Sequence, residues 1–118
     1  MKLKIVSLTL NVFPTVESPL DVKLVWQPHA VPELTRYFLY QARLTKGRDE
    51  RYHLVAEIGK GLHAWTVFVE AGRNFKWRIA AVNSERKWLA ATNAIHLFDV
   101  IRQEVPLNFI KKLGGYFT

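Results

Sequence analysis

The 118-residue sequence contains no cysteine. This absence excludes a disulfide framework, a thiolate metal site and a cysteine nucleophile. The core must be held by packing alone, which is compatible with assembly in a reducing cytosol. The sequence also lacks any run near the ~18 apolar residues of a membrane-spanning helix. The apolar N-terminal stretch is interrupted by Ser7, Thr9 and Asn11 and is followed by no small-residue cleavage site, so we interpret it as a strand and not as a signal peptide.

Residue patterns typical of catalysis or metal binding are lacking as well. No two histidines are spaced two, three or four positions apart, whereas a zinc site needs several convergent ligands. Asp49 and Glu50 lie between Arg48 and Arg51, which is typical of a solvated turn and not of a carboxylate pair for acid–base catalysis. No nucleophile elbow, phosphate-binding glycine loop or nucleotide fingerprint is present. We therefore predict no catalytic residue, no metal ligand and no cofactor, and a protein that is not an enzyme.

The composition that is present favours a folded, basic protein. Apolar residues make up 49% of the chain and aromatic residues 13%, which argues against intrinsic disorder. Lysine and arginine number 17 against 10 acidic residues, so the formal net charge is +7. A basic domain can meet nucleic acid, anionic lipid or an acidic protein surface, and the charge can equally serve solubility alone. The basic residues are spread along the chain, so their number alone identifies no partner.

Apolar and polar residues alternate in short segments separated by turn signals, which is the pattern of half-buried β-strands. Pro14 is predicted to end the first strand, because proline cannot donate to a ladder. About seven such strands with turns roughly every ten residues predict an all-β sandwich. The predicted strands are Val6–Val12, Leu20–Trp26, Arg36–Leu44, Tyr52–Ile58, His63–Val69, Phe75–Ala81 and Trp88–Phe98.

Two alternating phases compete in the third strand. One phase places Tyr37, Leu39 and Gln41 on the core side, and the other places the even-numbered residues from Phe38 to Leu44 there. We prefer the second phase, because it leaves Gln41 and Arg43 in water.

The order of these features resembles a fibronectin type III domain. A tryptophan shortly before a proline, Trp26 and Pro28, matches the second strand of that family, and the segment Val69–Asn83 matches its corner and central strand. Ala71 replaces the usual proline, and Phe75 replaces the tyrosine whose hydroxyl bonds to the backbone. The resemblance extends over roughly Pro14–Leu97 and implies an immunoglobulin-like β-sandwich over residues 1–98. The outright matches in the segment are Gly72, Arg78, Ala81, Val82 and Asn83.

Basic residues are predicted to gather on one outer sheet face. With the preferred phase of the third strand, they lie on neighbouring strands and at one end of the same sheet. Such a face suits an acidic partner, although an outer sheet face that is merely solvated remains the alternative. The predicted residues of this basic face are Arg43, Lys76, Arg78, Arg86 and Lys87.

The segment that follows the predicted sandwich, residues 99–118, is unusually apolar. Exposed, it would favour aggregation, so we expect it to be covered. It is predicted either to pack on its own domain or to dock on another subunit, and we favour the docking arm. A short helix after Pro106 fits its spacing. The residues predicted to bind the partner are Val105, Leu107, Phe109, Ile110, Leu113, Tyr116 and Phe117.

These observations favour a non-enzymatic structural or assembly protein that binds other protein subunits. A chain that begins at Met1 without a signal peptide or cysteine is uncommon among animal-type adhesion modules, whereas isolated domains resembling it occur in bacteriophage virions. We therefore predict a head decoration, neck or tail component, located in the virion and assembled in the host cytoplasm. One alternative is a carbohydrate- or receptor-binding module, which needs aromatics exposed in a flat row. A second alternative is a basic nucleic-acid-binding protein.

Overall fold

Eight β-strands, all paired antiparallel, make up the part of the chain that the computed structural model describes, which is residues 10–18, 21–47, 50–70 and 74–97. The predicted all-β class is confirmed. Within these residues no helix is long and apolar enough to cross a bilayer. The strands are β1 (Val12–Ser18), β2 (Asp21–Trp26), β3 (Arg36–Leu44), β4 (Tyr52–Gly59), β5 (Ala64–Phe68), β6 (Asn74–Val82), β7 (Trp88–Ala91) and β8 (Ile95–His96).

The strands form two sheets that enclose the main core. One sheet has the order β1-β2-β5, and the other has the order β4-β3-β6-β7, with β8 also paired to β6. Side chains alternate across β2 and β6, so that Leu24 and Trp26 of one sheet share a buried cluster with Trp77 and Ile79 of the other. Burial of these large apolar side chains between the sheets holds the sandwich together without a covalent cross-link.

The first described strand corrects the prediction for Pro14. Pro14 lies inside β1 and pairs with Leu24, so the prediction that it ends a strand is wrong. Among the described strands β1 pairs with β2 alone. An edge strand tolerates proline because the position of its missing N–H can face away from the ladder. Residues 1–9, which contain most of the predicted first strand, lie outside the described residues.

Strand β3 has the predicted bounds but the opposite phase. Tyr37 and Leu39 are buried in the main core, and Phe38 belongs to a separate cluster on the other side of the sheet. The preferred phase was wrong because Gln41 does not need water. It lies on the core side, where its Oε1 accepts a hydrogen bond from Trp77 Nε1 at 2.9 Å. A buried polar group is tolerated when it is paired in this way.

The predicted final strand, Trp88–Phe98, is interrupted. Strand β7 ends at Ala91 and β8 begins at Ile95, and Thr92 lies in the break. The Thr92 hydroxyl accepts a hydrogen bond from the N–H of Ile79 at 2.9 Å, and the Thr92 N–H donates to the Ile79 carbonyl at 2.8 Å. The break is tolerated because these buried backbone groups stay paired.

A tyrosine hydroxyl does bond to the backbone, but not at the position that the family resemblance implies. Phe75 is buried and stacks on Trp77, with ring centroids 6.1 Å apart. Tyr37 instead accepts a hydrogen bond from the N–H of His29 at 2.8 Å. His29 lies in the connection between β2 and β3, so this bond fastens that connection to the core. Residues 71–73, which include Ala71 and Gly72, lie outside the described residues.

Candidate binding site on the outer sheet face

The five-stranded sheet turns one face away from the main core, and this outer face carries a layer of aromatic rings. Phe38 and Tyr40 of β3 lie 6.3 Å apart with their planes at 74°, and Tyr40 and Trp88 lie 5.4 Å apart at 49°. Trp88 Nε1 donates a hydrogen bond to the Tyr40 hydroxyl at 3.1 Å. The rings therefore form a fixed, mutually inclined group, and Phe38 is only 3% exposed within it.

Arg78 is held between two of these aromatic side chains. Its Cζ lies 5.9 Å from the ring centroid of Tyr52 and 5.4 Å from that of Trp88. Its Nε also donates a hydrogen bond to the Thr92 carbonyl at 3.3 Å. Three contacts from β4, β7 and the segment after β7 thus fix one guanidinium. Cation–π contacts of this kind stabilise the charge where it is partly withdrawn from water.

Arg78 differs from Lys76 and Lys87 in having no acidic partner among the described residues. Among the residues that the structure describes, no carboxylate forms an ion pair with Arg78. By contrast, Lys76 Nζ lies 2.7 Å from Glu50 Oε1, and Lys87 Nζ lies 3.4 Å from Glu85 Oε2. Within the described ranges, the hydrogen bond shown for this guanidinium is the one from Nε, so its terminal nitrogens are candidates for binding an external acceptor.

Glu57 is the acidic centre of the opposite end of the outer face. Its Oε1 lies 2.6 Å from Arg86 Nη1 and 3.3 Å from Arg36 Nη1. The hydrogen bond from Arg86 is the largest cause that lowers the pKa of Glu57. Desolvation opposes it, and the hydrogen bond from Arg36 lowers the pKa further. The Arg86 guanidinium also lies over the ring of Phe38, 4.6 Å from its centroid.

The hairpin between β6 and β7 sets the position of Arg86. Asn83 Oδ1 accepts hydrogen bonds from the backbone N–H groups of Glu85 and Lys87, at 2.9 and 3.0 Å. Within this turn Arg86 has a φ of 65°, in the left-handed region that non-glycine residues rarely adopt. The strained conformation directs Arg86 back over the sheet, where Glu57 and Phe38 engage it.

The structure brings together four of the five residues predicted for the basic face. Lys76 and Arg78 lie on the outer face, opposite Ala42 and Tyr40 of β3, and the hairpin holding Arg86 and Lys87 adjoins it. The predicted position of Arg43 on this face is wrong. It pairs with Phe75, whose side chain is in the main core, so Arg43 lies on the opposite side of the sheet from Lys76 and Arg78. The error follows from the wrong phase of β3. Residues 99–118, predicted as the docking arm, lie outside the described residues.

Sequence reasoning missed the aromatic part of the site. With the preferred phase of the third strand, Tyr37 would face outward with the basic residues, whereas it is fully buried in the main core. The correct phase of β3 would have placed Tyr40 beside Arg78, because directly opposed residues share a face. The sequence did contain a signal for an apolar outer face, because aromatic or aliphatic residues occupy both alternating phases of β3. The missed residues of the outer face are Arg36, Phe38, Tyr40, Tyr52 and Trp88.

A cleft lies elsewhere on the sandwich. An open cleft of about 260 Å³ separates the start of β1 from the segment between β7 and β8. No group of three or more histidine, aspartate or glutamate side chains in the described ranges could hold a metal ion. The cleft is lined by Leu10, Asn11, Val12, Phe13, Thr92, Asn93 and Ile95. Its lining contains no charged residue, so the outer face remains the better candidate site.

Comparison with known proteins identifies the fold. No protein-family model matches the chain, and no curated protein shows significant similarity to its sequence. A solved structure of pectate lyase PelI from Erwinia chrysanthemi, in complex with tetragalacturonic acid, superposes with a TM-score of 0.62 at 13% identity, over 77% of this chain and 29% of the lyase chain. The chain therefore spans less than a third of that enzyme's length.

Isolated fibronectin type III domains are similar as well. The FN5 domain of Drosophila Lar gives a TM-score of 0.52 at 16% identity, over 74% of this chain and 88% of that one. The fn3 domain of the human collagen alpha-1(XX) chain gives 0.51 at 15% identity, over 73% and 75%. The chain has a fibronectin type III-like sandwich fold, as the segment Val69–Asn83 predicted. Identities this low show the fold alone.

Proposed function

We propose that this chain is a non-enzymatic binding module whose outer face docks a carboxylate-bearing surface of another protein subunit. The observation that carries the proposal is Arg78, a guanidinium fixed between Tyr52 and Trp88 without an acidic partner among the described residues. The nearby cations Lys76 and Arg86 are already paired with glutamates, so Arg78 is the group best placed to receive a new anion.

The geometry of Arg78 suits a carboxylate for two reasons. A guanidinium presents planar donors that match the two oxygens of a carboxylate, and such bidentate pairs are stronger than neutral hydrogen bonds. The side chain is also half-buried and fixed before any ligand arrives, which reduces the entropy lost on binding. An aspartate or glutamate on a protein surface supplies the carboxylate, and the formal net charge of +7 favours its approach.

The ring geometry favours a protein partner over the two alternatives. A carbohydrate module would present aromatic rings in a flat row, but the rings here are inclined at 74° and 49° to one another. Single-stranded nucleic acid would need open ring faces for base stacking, whereas Arg78 covers the rings of Tyr52 and Trp88 and Arg86 covers that of Phe38.

Assembly into a bacteriophage virion, with location in the virion and a docking arm over residues 99–118, stays a prediction. The comparisons give no support for a bacteriophage origin, so our proposal names the chemistry of the partner surface and not the assembly. An apolar arm and a basic outer face would be complementary devices for holding a neighbouring subunit.

Binding of a glutamate-rich peptide tests the proposal. We expect Arg78→Gln to weaken binding at least about tenfold, because a hydrogen-bonded ion pair is lost, whereas Arg43→Gln removes the same charge from the other side of the sheet and changes affinity little. Isothermal titration calorimetry at low salt measures both, with circular dichroism to confirm folding. Equal losses for the two variants would show that only net charge matters and would contradict the proposal.

The same experiment separates the classes of partner. Oligogalacturonate and single-stranded DNA are titrated under identical salt conditions. Tighter binding of either ligand than of the peptide, with loss of that binding in Arg78→Gln, would reassign the site to that class. A steep fall in affinity with added salt is expected for all exposed ion pairs and does not by itself discriminate between them.

A further inference from the structure

The described strands leave several sheet edges, and most of them carry a feature that discourages pairing with another chain. Strand β1 contains Pro14 and a register irregularity near its end. Strand β4 has a bulge, because Leu39 and Tyr40 of β3 pair with Ala56 and Leu54 and leave Val55 as the extra residue. Strands β7 and β8 have only four and two residues. Proline, bulges and short length are recognised means of protecting an edge.

Strand β5 has neither a proline nor a bulge, and its length of five residues is one more than that of β7. Its five residues, Ala64–Phe68, include no proline and no charged side chain, and they pair with β2 in a regular register without a bulge. Among the described strands β5 pairs with β2 alone, so no described strand pairs with its other edge. Two of its aromatic side chains reach the surface, since Trp65 is 38% exposed and Phe68 is 62% exposed. Such an edge is a template for another strand.

We propose that β5 pairs antiparallel with β5 of a second copy of this chain, about a twofold axis at Thr66. In this register Thr66 lies opposite Thr66 of the partner subunit, which is a favourable cross-strand pair. Ala64 lies opposite Phe68 of the partner subunit, so that a small side chain meets a large one. Trp65 lies opposite Val67 of the partner subunit on the core side. The strand is therefore complementary to itself, which is the requirement for a twofold interface.

Charge also favours a second copy as the occupant. Lys60 precedes β5, and Glu70, which already has an interaction within its own chain, follows it. An antiparallel pair therefore brings the basic end of one strand near the acidic end of the other. Lys23 lies opposite Thr66 within the same sheet. The two copies of Lys23 would stand three strand spacings apart, about 14 Å, which exceeds the Debye length of ~8 Å at physiological ionic strength. The pairing thus places the basic end of one strand near the acidic end of the other and keeps the two copies of Lys23 apart.

The solution mass tests this interface with a closely matched control. We expect the chain to approach twice its mass of 13.7 kDa as concentration rises in sedimentation equilibrium. Thr66→Lys places two lysines face to face and should weaken dimerisation at least about tenfold, since lysine on an edge opposes pairing. Thr15→Lys is the control, because Thr15 lies opposite Lys23 on the other edge of the same sheet. A chain that stays at 13.7 kDa, or equal effects of both variants, would overturn the proposal.

Cross-linking tests the register independently of affinity. The chain has no cysteine, so Thr66→Cys introduces a unique thiol. Directly opposed residues of an antiparallel pair have Cα atoms about 4.5–5.5 Å apart, within the range that a disulfide can bridge. We expect Thr66→Cys to form a covalent dimer on mild oxidation and Thr15→Cys to remain largely monomeric in a denaturing gel. Failure of Thr66→Cys to cross-link faster than Thr15→Cys would contradict the twofold at Thr66.

Discussion

Glu57 is the residue on which two arginines of the outer face converge, and it illustrates how the site is fixed at the level of single side chains. Its carboxylate joins Arg36 of β3 to Arg86 of the hairpin after β6. The carboxylate is 39% exposed, so the pair lies at the surface, where ion pairs contribute little to stability. Its role is therefore to orient Arg86, which adopts a rarely populated backbone conformation.

The pKa of Glu57 should report this orientation. The hydrogen bond from Arg86 lowers the pKa below its ordinary value of 4.5, and Arg86→Met should raise it toward that value. Because the folded-state pKa is depressed, the associated stability is present above pH 4.5 and is lost as the pH falls through the folded pKa. Carboxyl chemical shifts followed by NMR during an acid titration measure both. A midpoint at or above 4.5 in the unmodified chain would refute the assignment.

At the scale of elements, the break between β7 and β8 matters most, because it supports both the core and the site. The Thr92 hydroxyl accepts a hydrogen bond from the N–H of Ile79, and the Thr92 carbonyl accepts one from Arg78 Nε. Thr92 therefore pairs a buried backbone N–H of β6 and also holds the guanidinium of Arg78, the candidate ligand-binding residue. An uninterrupted ladder would leave the Thr92 side chain without this bridging role.

Replacing the hydroxyl at the break should destabilise the fold measurably. Thr92→Val preserves the volume but leaves the buried Ile79 N–H without that acceptor, so the free energy of unfolding should fall by about 1–3 kcal/mol. Thr92→Ser keeps the hydroxyl and loses one methyl group, for a cost of about 1 kcal/mol. Urea denaturation compares the two variants. If Thr92→Ser is the more damaging change, the methyl contact and not the hydrogen bond supports the break.

At the scale of the whole molecule, the two sheets carry different surfaces. The five-stranded sheet bears Arg78 and its aromatic clamp, and the three-stranded sheet bears the β5 edge. The core lies between them, so neither surface contributes a residue to the other. This separation predicts that binding of an acidic partner and self-association vary independently.

That independence can be measured by exchanging the variants between the two assays. Thr66→Lys should leave the affinity per chain for the glutamate-rich peptide within about twofold, and Arg78→Gln should leave the dimer dissociation constant equally unchanged, because distant sites are additive. Calorimetry and sedimentation equilibrium supply the two quantities. A loss of peptide affinity in Thr66→Lys would mean that the two faces are coupled through the core.

The strands themselves could be predicted from the sequence, because alternation and turn residues are local signals. Strand β3 was located correctly, and the segment Val69–Asn83 identified the fold. The phase of β3 was not predictable from polarity, since Tyr37, Phe38 and Leu39 are all buried and the outer face has an aromatic layer of its own. The clamp around Arg78 was missed because it joins side chains from strands far apart in sequence.

The alternation along β6 has a consequence for how this protein can change over generations. Trp77 and Ile79 face the core, while Lys76 and Arg78, which alternate with them, face outward. Under the proposed function, substitutions at positions 76 and 78, or at the flanking Tyr52, would alter recognition and leave the buried side chains of the main core in place. Binding specificity could then change over generations while the fold stays the same. Because the outward-facing positions are separate from the core-facing ones, they are also suitable positions for a randomised library from which new binders are selected.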